Sequence, residues 1–299
     1  MFLTIITATY NRAYCLPNIY NSLLYNVRQD FEWIIVDDGS IDETEKLVTG
    51  WIIEDKINIR YVKQINGGKT KAVMNGFSQV IHGRFSVVLD SDDYLMEGII
   101  ADLKGEAENL ADNCIGLVGL KSDLEGKIIG TKFTKSSSTY LEMYFGSKPV
   151  KGDKLFFIKS IFYKKSFIEP YNGEKFVPDN IPYIITNKYG YFKCLNKIVY
   201  KGEYLIDGMT ANVVKMAANN IRGFILEKKM LQSESLDLKE RLKNEIKYVY
   251  YSRGAGLTFL DIFSKSKRKF YTALLYYPVS LFLRSRINEL RKLNTKRKK

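Results

Sequence analysis

Two acidic clusters, each closing a short apolar run, constrain this chain more than any other feature. Trp33-Ile34-Ile35-Val36 leads into Asp37-Asp38-Gly39-Ser40, and Phe85-Ser86-Val87-Val88-Leu89 leads into Asp90-Ser91-Asp92-Asp93. Short β-rich apolar runs read as strands buried on both faces. An open α/β sheet places its ligand site beyond the carboxyl ends of its strands, so both clusters are expected to face one crevice. Carboxylates gathered there repel one another. A divalent cation relieves that repulsion, and a polyphosphate is the usual partner of such a cation. The pattern implies an enzyme that takes a nucleotide diphosphate donor.

Strands are predicted over 3–8, 33–36, 59–62 and 85–89, with helices over 13–25, from about 40 to 50, and 69–80. Ser40-Ile41-Asp42-Glu43 has helix-start character, with a Ser cap and acids in the first turn. Strands alternating with helices of this length argue for a mainly parallel sheet with right-handed crossovers. Beyond residue 100 the pattern is irregular. Residues 115–120, 128–129, 153–162 and 191–200 suit shorter strands with antiparallel pairing, and 212–260 is helix-prone. The expected architecture is an α/β domain over 1–212, a mixed but mainly parallel sheet flanked by helices. A helical, basic extension is expected over 213–299.

Bulk properties exclude several chemistries. Three widely spaced cysteines, Cys15, Cys114 and Cys194, rule out a disulfide framework or close-spaced zinc ligands and suit a reducing cytosol. The single histidine, His82, argues against a Ser-His-Asp or His-rich metal mechanism, so acid–base work falls to carboxylates. The first residues enter an apolar run at once and do not read as a secretory signal. No apolar run approaches twenty residues. Of the net charge of +13, residues 265–299 carry +11, leaving +2 for the first 264.

Within this frame four motifs carry chemistry. Thr7-Ala8-Thr9-Tyr10-Asn11-Arg12 follows the first strand, where amides and hydroxyls suit a base or phosphate, or simply make a strand-to-helix loop. The Asp37-Asp38 pair suits a base imide or a ribose hydroxyl, although capping explains Ser40 and Asp42. Asn66-Gly67-Gly68-Lys69, with Asn75 beyond, supplies a turn, a helix N-terminus and a cation for a diphosphate, or a plain turn and a solvated lysine. In an extended Asp90-Ser91-Asp92, alternate residues point the same way and bring Asp90 and Asp92 to one metal–ribose site. Three later acids stand in turn-like settings: Asp153, Asp179 and Asp207.

Taken in order, these four motifs resemble the inverting family 2 glycosyltransferases, with their nucleotide-sugar-binding, Rossmann-like GT-A fold. Gly173-Glu174-Lys175-Phe176-Val177-Pro178 and Glu203-Tyr204-Leu205-Ile206-Asp207-Gly208-Met209-Thr210 look like a bacterial subgroup associated with capsular and other surface polysaccharides. The resemblance implies that Thr7, Thr9 and Asp38 bind the nucleotide, with Asp38 on uracil where the donor is a UDP-sugar. Tyr10, Asn11, Arg12, Asn66, Lys69 and Ser91 join them as donor-binding candidates. Asp90 meets the ribose or a metal water, and Asp92 ligates Mn2+ or Mg2+, with Asp90 beside it. Asp179 aligns with the catalytic base, where the subgroup more often has the longer Glu; Asp153 is the second candidate. A base would deprotonate an acceptor hydroxyl as it attacks the anomeric carbon, while metal and Lys69 stabilise the departing diphosphate.

The tail holds most of the basic charge. An apolar stretch, 270–283, is interrupted by Pro278 and flanked by Lys265-Ser266-Lys267-Arg268-Lys269 and Arg284-Ser285-Arg286. It is too short to span a bilayer and suits either an anionic membrane surface or packing on the body. The expected enzyme is cytoplasmic, peripheral on the inner membrane face, and acts on a surface glycan or lipid-linked acceptor. The rivals are a nucleotidyltransferase on a related fold and a basic nucleic-acid- or membrane-binding protein. Nucleic acid is not expected, because the proposed crevice is acidic and the basic charge sits in the tail.

Overall fold

In the computed structural model, which describes residues 1–26, 30–202 and 213–297, the early apolar runs form the centre of one nine-stranded sheet. The chain runs β1 (Leu3–Thr9), α1 (Leu16–Leu24), β2 (Phe31–Asp37), α2 (Thr44–Glu54), β3 (Ile59–Lys63), α3 (Lys69–Ser78) and β4 (Phe85–Val88). There follow β5 (Asp93–Leu95), α4 (Ile99–Ala107), β6 (Cys114–Ser122), β7 (Ser137–Ser138), α5 (Tyr140–Phe145), β8 (Lys154–Lys159), α6 (Ser160–Tyr163), α7 (Ile181–Thr186) and β9 (Tyr191–Gly202). The C-terminal region is helical: α8 (Val213–Asn219), α9 (Ile221–Leu231), α10 (Leu238–Gly254), α11 (Phe259–Lys265), α12 (Lys269–Phe282) and α13 (Arg284–Arg297). The predicted motif 203–210, with Asp207, lies outside the described residues.

The strand order is β3-β2-β1-β4-β8-β6-β9-β5, with β7 beside β9. The first four strands pair in parallel, Leu3 opposite both Phe31 and Phe85. Their crossover helices cover both faces, which is why β2 is buried along its whole length. Trp33, Trp51 and Leu103 fill one side of the sheet; Ile34, Phe77 and Phe156 fill the other. Antiparallel pairing enters at β8, against β4 and β6, and at β5 against β9. The irregular later strands thus extend the same sheet.

Two local expectations are corrected. The helix after Ser40 starts at Thr44, because Ser40 and Asp42 bond across to the neighbouring loop. The first helix starts at Leu16, since Asn11 takes a left-handed φ of 52° and Pro17 opens the helix.

Below the sheet, Glu32 is fully buried yet satisfied. Its carboxylate accepts from Thr4 Oγ1 at 2.6 Å and His82 N at 2.9 Å, and pairs with His82 Nδ1 at 2.9 Å and Arg60 at 2.7 Å. The lone histidine therefore serves the fold. Desolvation pushes the Glu32 carboxyl up, but these bonds outweigh it and hold the group below its usual range. Unfolding releases Glu32 to take up a proton where the folded carboxylate stays ionised. Its contribution is thus full above the ordinary carboxylate pKa and is lost as pH falls through the folded value. Glu32→Gln should lower stability by about 1–3 kcal/mol near neutral pH, and thermal melts at falling pH should show the difference from wild type shrinking.

Candidate active site

At the carboxyl end of β2 the two adjacent aspartates do different jobs. Asp37, fully buried, accepts from Ser40 N at 2.7 Å and from the Tyr61 hydroxyl, which closes the turn. Asp38 accepts from Gly67 N and Gly68 N, each at 2.7 Å, and from Gln64 Nε2 at 2.8 Å. Asn75 in turn holds Gln64 through its amide at 2.8 Å. Both Asp38 oxygens thus pin the Asn66-Gly67-Gly68 turn against the sheet. Gly68 has φ +92°, and a Cβ there would stand 2.2 Å from the Lys175 carbonyl oxygen, so only glycine lets the two loops close.

The β1 loop is tied to the same corner. Asn11 N donates to Ser40 Oγ at 2.8 Å, and Ile41 N donates to Asn11 Oδ1 at 2.9 Å. Thr7 is fully buried, with its hydroxyl accepting from Trp33 Nε1 at 2.9 Å. The structure thus places Thr7 in the core beneath the loop, away from the predicted nucleotide contact. Thr9 is different: its buried hydroxyl has no hydrogen-bond partner among the described residues. Tyr10 is about half exposed. The positive charge of Arg12 favours the ionised form of Asp92.

Beyond β4 the chain turns back, with Asp93 N donating to the Asp90 carbonyl at 3.1 Å. The expected extended segment is therefore a turn. It gathers three carboxylates, those of Asp90, Asp92 and Asp93, whose oxygens lie within 4.8 Å of one another. Asp93 is buried and pairs with Lys121 of β6 at 2.8 Å. Gly202 opposite it makes room, since a Cβ there would fall 1.9 Å from Asp93 Oδ1. Burial, then the Asp90 charge, pushes the Asp93 carboxyl up to about 7 against the pull of Lys121. The same two causes raise Asp92, which has no salt-bridge partner among the described residues. Crowded oxygen ligands of raised basicity fit a hard divalent cation such as Mn2+ or Mg2+. Ser91 sits within the turn.

Lys69 opens α3 and bridges two carboxylates, Asp90 at 2.8 Å and Asp179 at 3.0 Å. Desolvation lowers its pKa, but the Asp179 and Asp90 charges prevail and keep it protonated. The predicted diphosphate ligand is thus already held between two acids. Desolvation raises Asp179, Lys69 opposes it, and the Asp90 charge adds to it, leaving the carboxyl above its usual range. Asp153 lines the same cavity of about 140 Å³, so both candidate bases reach one space. Tyr163, Tyr183 and Tyr200 supply an aromatic wall.

The loop carrying Asp179 is gripped from both sides. Val177 N donates to Thr70 Oγ1 at 3.0 Å, and Lys175 Nζ donates to Asn66 Oδ1 at 2.7 Å. From the helical region, Asn220 Oδ1 accepts from Lys175 N and Phe176 N, each at 2.9 Å. Glu174 accepts from Arg222 N at 3.0 Å and Gly223 N at 3.1 Å, and Asn180 donates to Glu227 at 2.7 Å. Asn220→Ala would strand two amides, costing about 1–3 kcal/mol. Turnover should fall roughly tenfold through the loop while the donor KM holds; a pure stability defect would leave the turnover of folded enzyme unchanged.

Sequence reading missed Lys121, Asn220 and the role of Asp93. A charged residue ending the apolar run 115–120 was the available signal for Lys121, whereas nothing local marked Asn220.

Known proteins resemble this chain in sequence or in fold. The GalNAc(5)-diNAcBac-PP-undecaprenol beta-1,3-glucosyltransferase of Campylobacter jejuni is 28% identical over 182 residues, covering 58% of this chain and 57% of its own length. The S. aureus TarS fragment 1–349 superposes with a TM-score of 0.59 at 16% identity, over 99% of this chain and 90% of that one. The mannosyltransferase PcManGT from Pyrobaculum calidifontis, solved with GDP-Man and Mn2+, has a TM-score of 0.54 at 15% identity, over 99% and 84%. These structural likenesses establish the GT-A fold. The match described as Glycosyl transferase family 2 spans residues 4–166, more than half the chain, and the chain belongs to that family.

Proposed function

We propose that the protein is a metal-dependent, inverting glycosyltransferase that moves a sugar from a UDP-sugar to a hydroxyl of a lipid-linked or surface-polysaccharide acceptor. The convergence of Asp90, Asp92 and Asp93 with Asp179 across Lys69 carries this reading. The Campylobacter relative supports the acceptor class by its undecaprenol-linked substrate, and a TarS structure with UDP-GlcNAc supports the donor class.

Asp92 and Asp90 would hold the cation, which when bound neutralises the donor diphosphate and the charge growing on it as the sugar leaves. Tyr10 offers an exposed ring for the base, and the Thr9 hydroxyl a donor without a partner among the described residues. Lys69 supplies positive charge on the side of the diphosphate and frees Asp179 as it turns towards it. Asp179, its basicity raised by the cavity, takes the acceptor proton as the hydroxyl oxygen attacks the anomeric carbon from the face opposite the diphosphate.

Thermal melts with UDP, GDP and other nucleoside diphosphates, with and without Mn2+, test the donor site. UDP at a hundred times its dissociation constant should add about 2.7 kcal/mol, and only with metal present. No rise with any nucleotide would sink the proposal. Release of pyrophosphate during turnover would instead favour nucleotidyl transfer.

A further inference from the structure

α12 carries two apolar faces. Thr272, Tyr276 and Val279 are buried, the two larger ones in a cluster with Tyr248 and Val249 of α10. Phe270, Leu274, Tyr277 and Leu281, spaced four, three and four residues apart, form a second stripe that is 58–74% exposed, and Phe282 beside it is 83% exposed. Helix packing and an open apolar face thus coexist on one element, where the sequence had offered them as alternatives.

The surroundings of the stripe identify what covers it. Lys265, Lys267 and Lys269 are exposed before it, Arg284 and Arg286 after it, and no acid occurs between Asp261 and Glu289. At its N-terminal end an open hollow of about 500 Å³ is lined by Arg241, Arg268, Lys269 and Tyr271, with Glu234 as its one acid. Arg268 donates to the Gln232 carbonyl at 2.7 Å, and Arg241 to the Leu236 carbonyl at 3.2 Å; these bonds hold both guanidiniums at the hollow. The Arg241 Nε is buried without a hydrogen-bond partner among the described residues. Among the described residues no helix is long and apolar enough to cross a membrane, and the fourteen residues of α12 reach only about 21 Å.

From this we infer that α12 lies in the plane of an anionic bilayer, with its outer stripe among the acyl chains and a lipid headgroup phosphate in the Arg241–Arg268–Lys269 hollow. Apolar side chains bounded by cations at both ends match an acyl layer bounded by phosphates. A second protein copy would bring the same cations against each other. The inference stands apart from glycosyl transfer.

Flotation of the full chain with vesicles of phosphatidylcholine alone, and of phosphatidylcholine with phosphatidylglycerol, tests it. Binding is expected chiefly to the anionic vesicles. Leu274→Ser with Leu281→Ser should weaken it more than about tenfold, and Lys269→Glu with Arg286→Glu should do the same while abolishing the preference for anionic lipid. UDP binding, measured on the same preparations, should stay at the wild-type value, which separates this result from any failure of the donor site. Equal flotation of wild type and both variants would overturn the inference. So would a dimer that the serine variant dissociates, together with no binding to either vesicle.

Discussion

Asp179→Asn is expected to lose about 10²–10⁴-fold in turnover while its affinity for UDP changes by no more than a few-fold. The amide keeps the shape of the carboxylate but cannot take a proton. Two competing effects are small by comparison. Lys69 keeps Asp90 at 2.8 Å, so the substitution does not strand a buried cation. The loop itself is held by Asn220, Thr70 and Glu174, none of which contacts the Asp179 carboxylate. Single-turnover measurement with saturating donor isolates the chemical step. Asp153 lines the same cavity, so Asp153→Asn is the necessary companion. That variant should retain at least about a tenth of wild-type turnover. The opposite ranking, with Asp153→Asn inactive and Asp179→Asn active, would transfer the role of base.

The second large effect belongs to Asp92. Of the three clustered carboxylates, Asp90 is engaged by Lys69 and Asp93 by Lys121, which leaves Asp92 the most available to a cation. Groups that merely orient a ligand typically contribute 10–100-fold to metal affinity, so removing a direct ligand should cost more than about 100-fold. Asp92→Ala should therefore lose the Mn2+-dependent part of the UDP-induced rise in melting temperature. The variant without ligand should melt no lower than wild type, because relieving crowding among three carboxylates offsets the lost side chain. A titration followed by calorimetry provides the check. An unchanged metal dependence would place the cation elsewhere, on Asp90 and Asp93.

Glu32, fully buried, and Asp179, half exposed, illustrate opposite balances of charge around a carboxyl. Both carboxyls are pushed up by desolvation. Around Glu32 several hydrogen bonds to the charged form win, and the group serves stability. Around Asp179 Lys69 and Asp90 pull in opposite directions, and the group stays basic.

Much of the site was legible in the sequence because its parts are local. Apolar runs of four or five residues ending in aspartates force buried strands to deliver acids to one sheet edge, and the parallel pairing of β1 with β2 and β4 puts both clusters there. Asp90, Asp92, Lys69, Asp153 and Asp179 all stand in motifs of the sequence, and the structure brings all but Asp92 to the cavity wall, with Asp92 in the carboxylate cluster beside it. What failed were assignments of a role to a residue from its neighbours in the chain. Thr7 faces the core because strand alternation and Trp33 take its hydroxyl. Ser40 left the helix cap for the Asn11 loop, and Asp42 divides its carboxylate between Thr44 at the helix start and Ala13, 29 residues away.

The sequence by itself determined the alternation of strands and helices up to residue 89, the family and the acids at the strand ends, since these depend on side-chain periodicity and on residues next to each other. Only the tertiary structure decided which acids are compensated and which loop they face. Lys121 reaches Asp93 from another strand, and Asn220, at the junction of α8 and α9, grips the Asp179 loop from more than forty residues on. Such pairings are set by packing between distant segments, and no local pattern of residues encodes them.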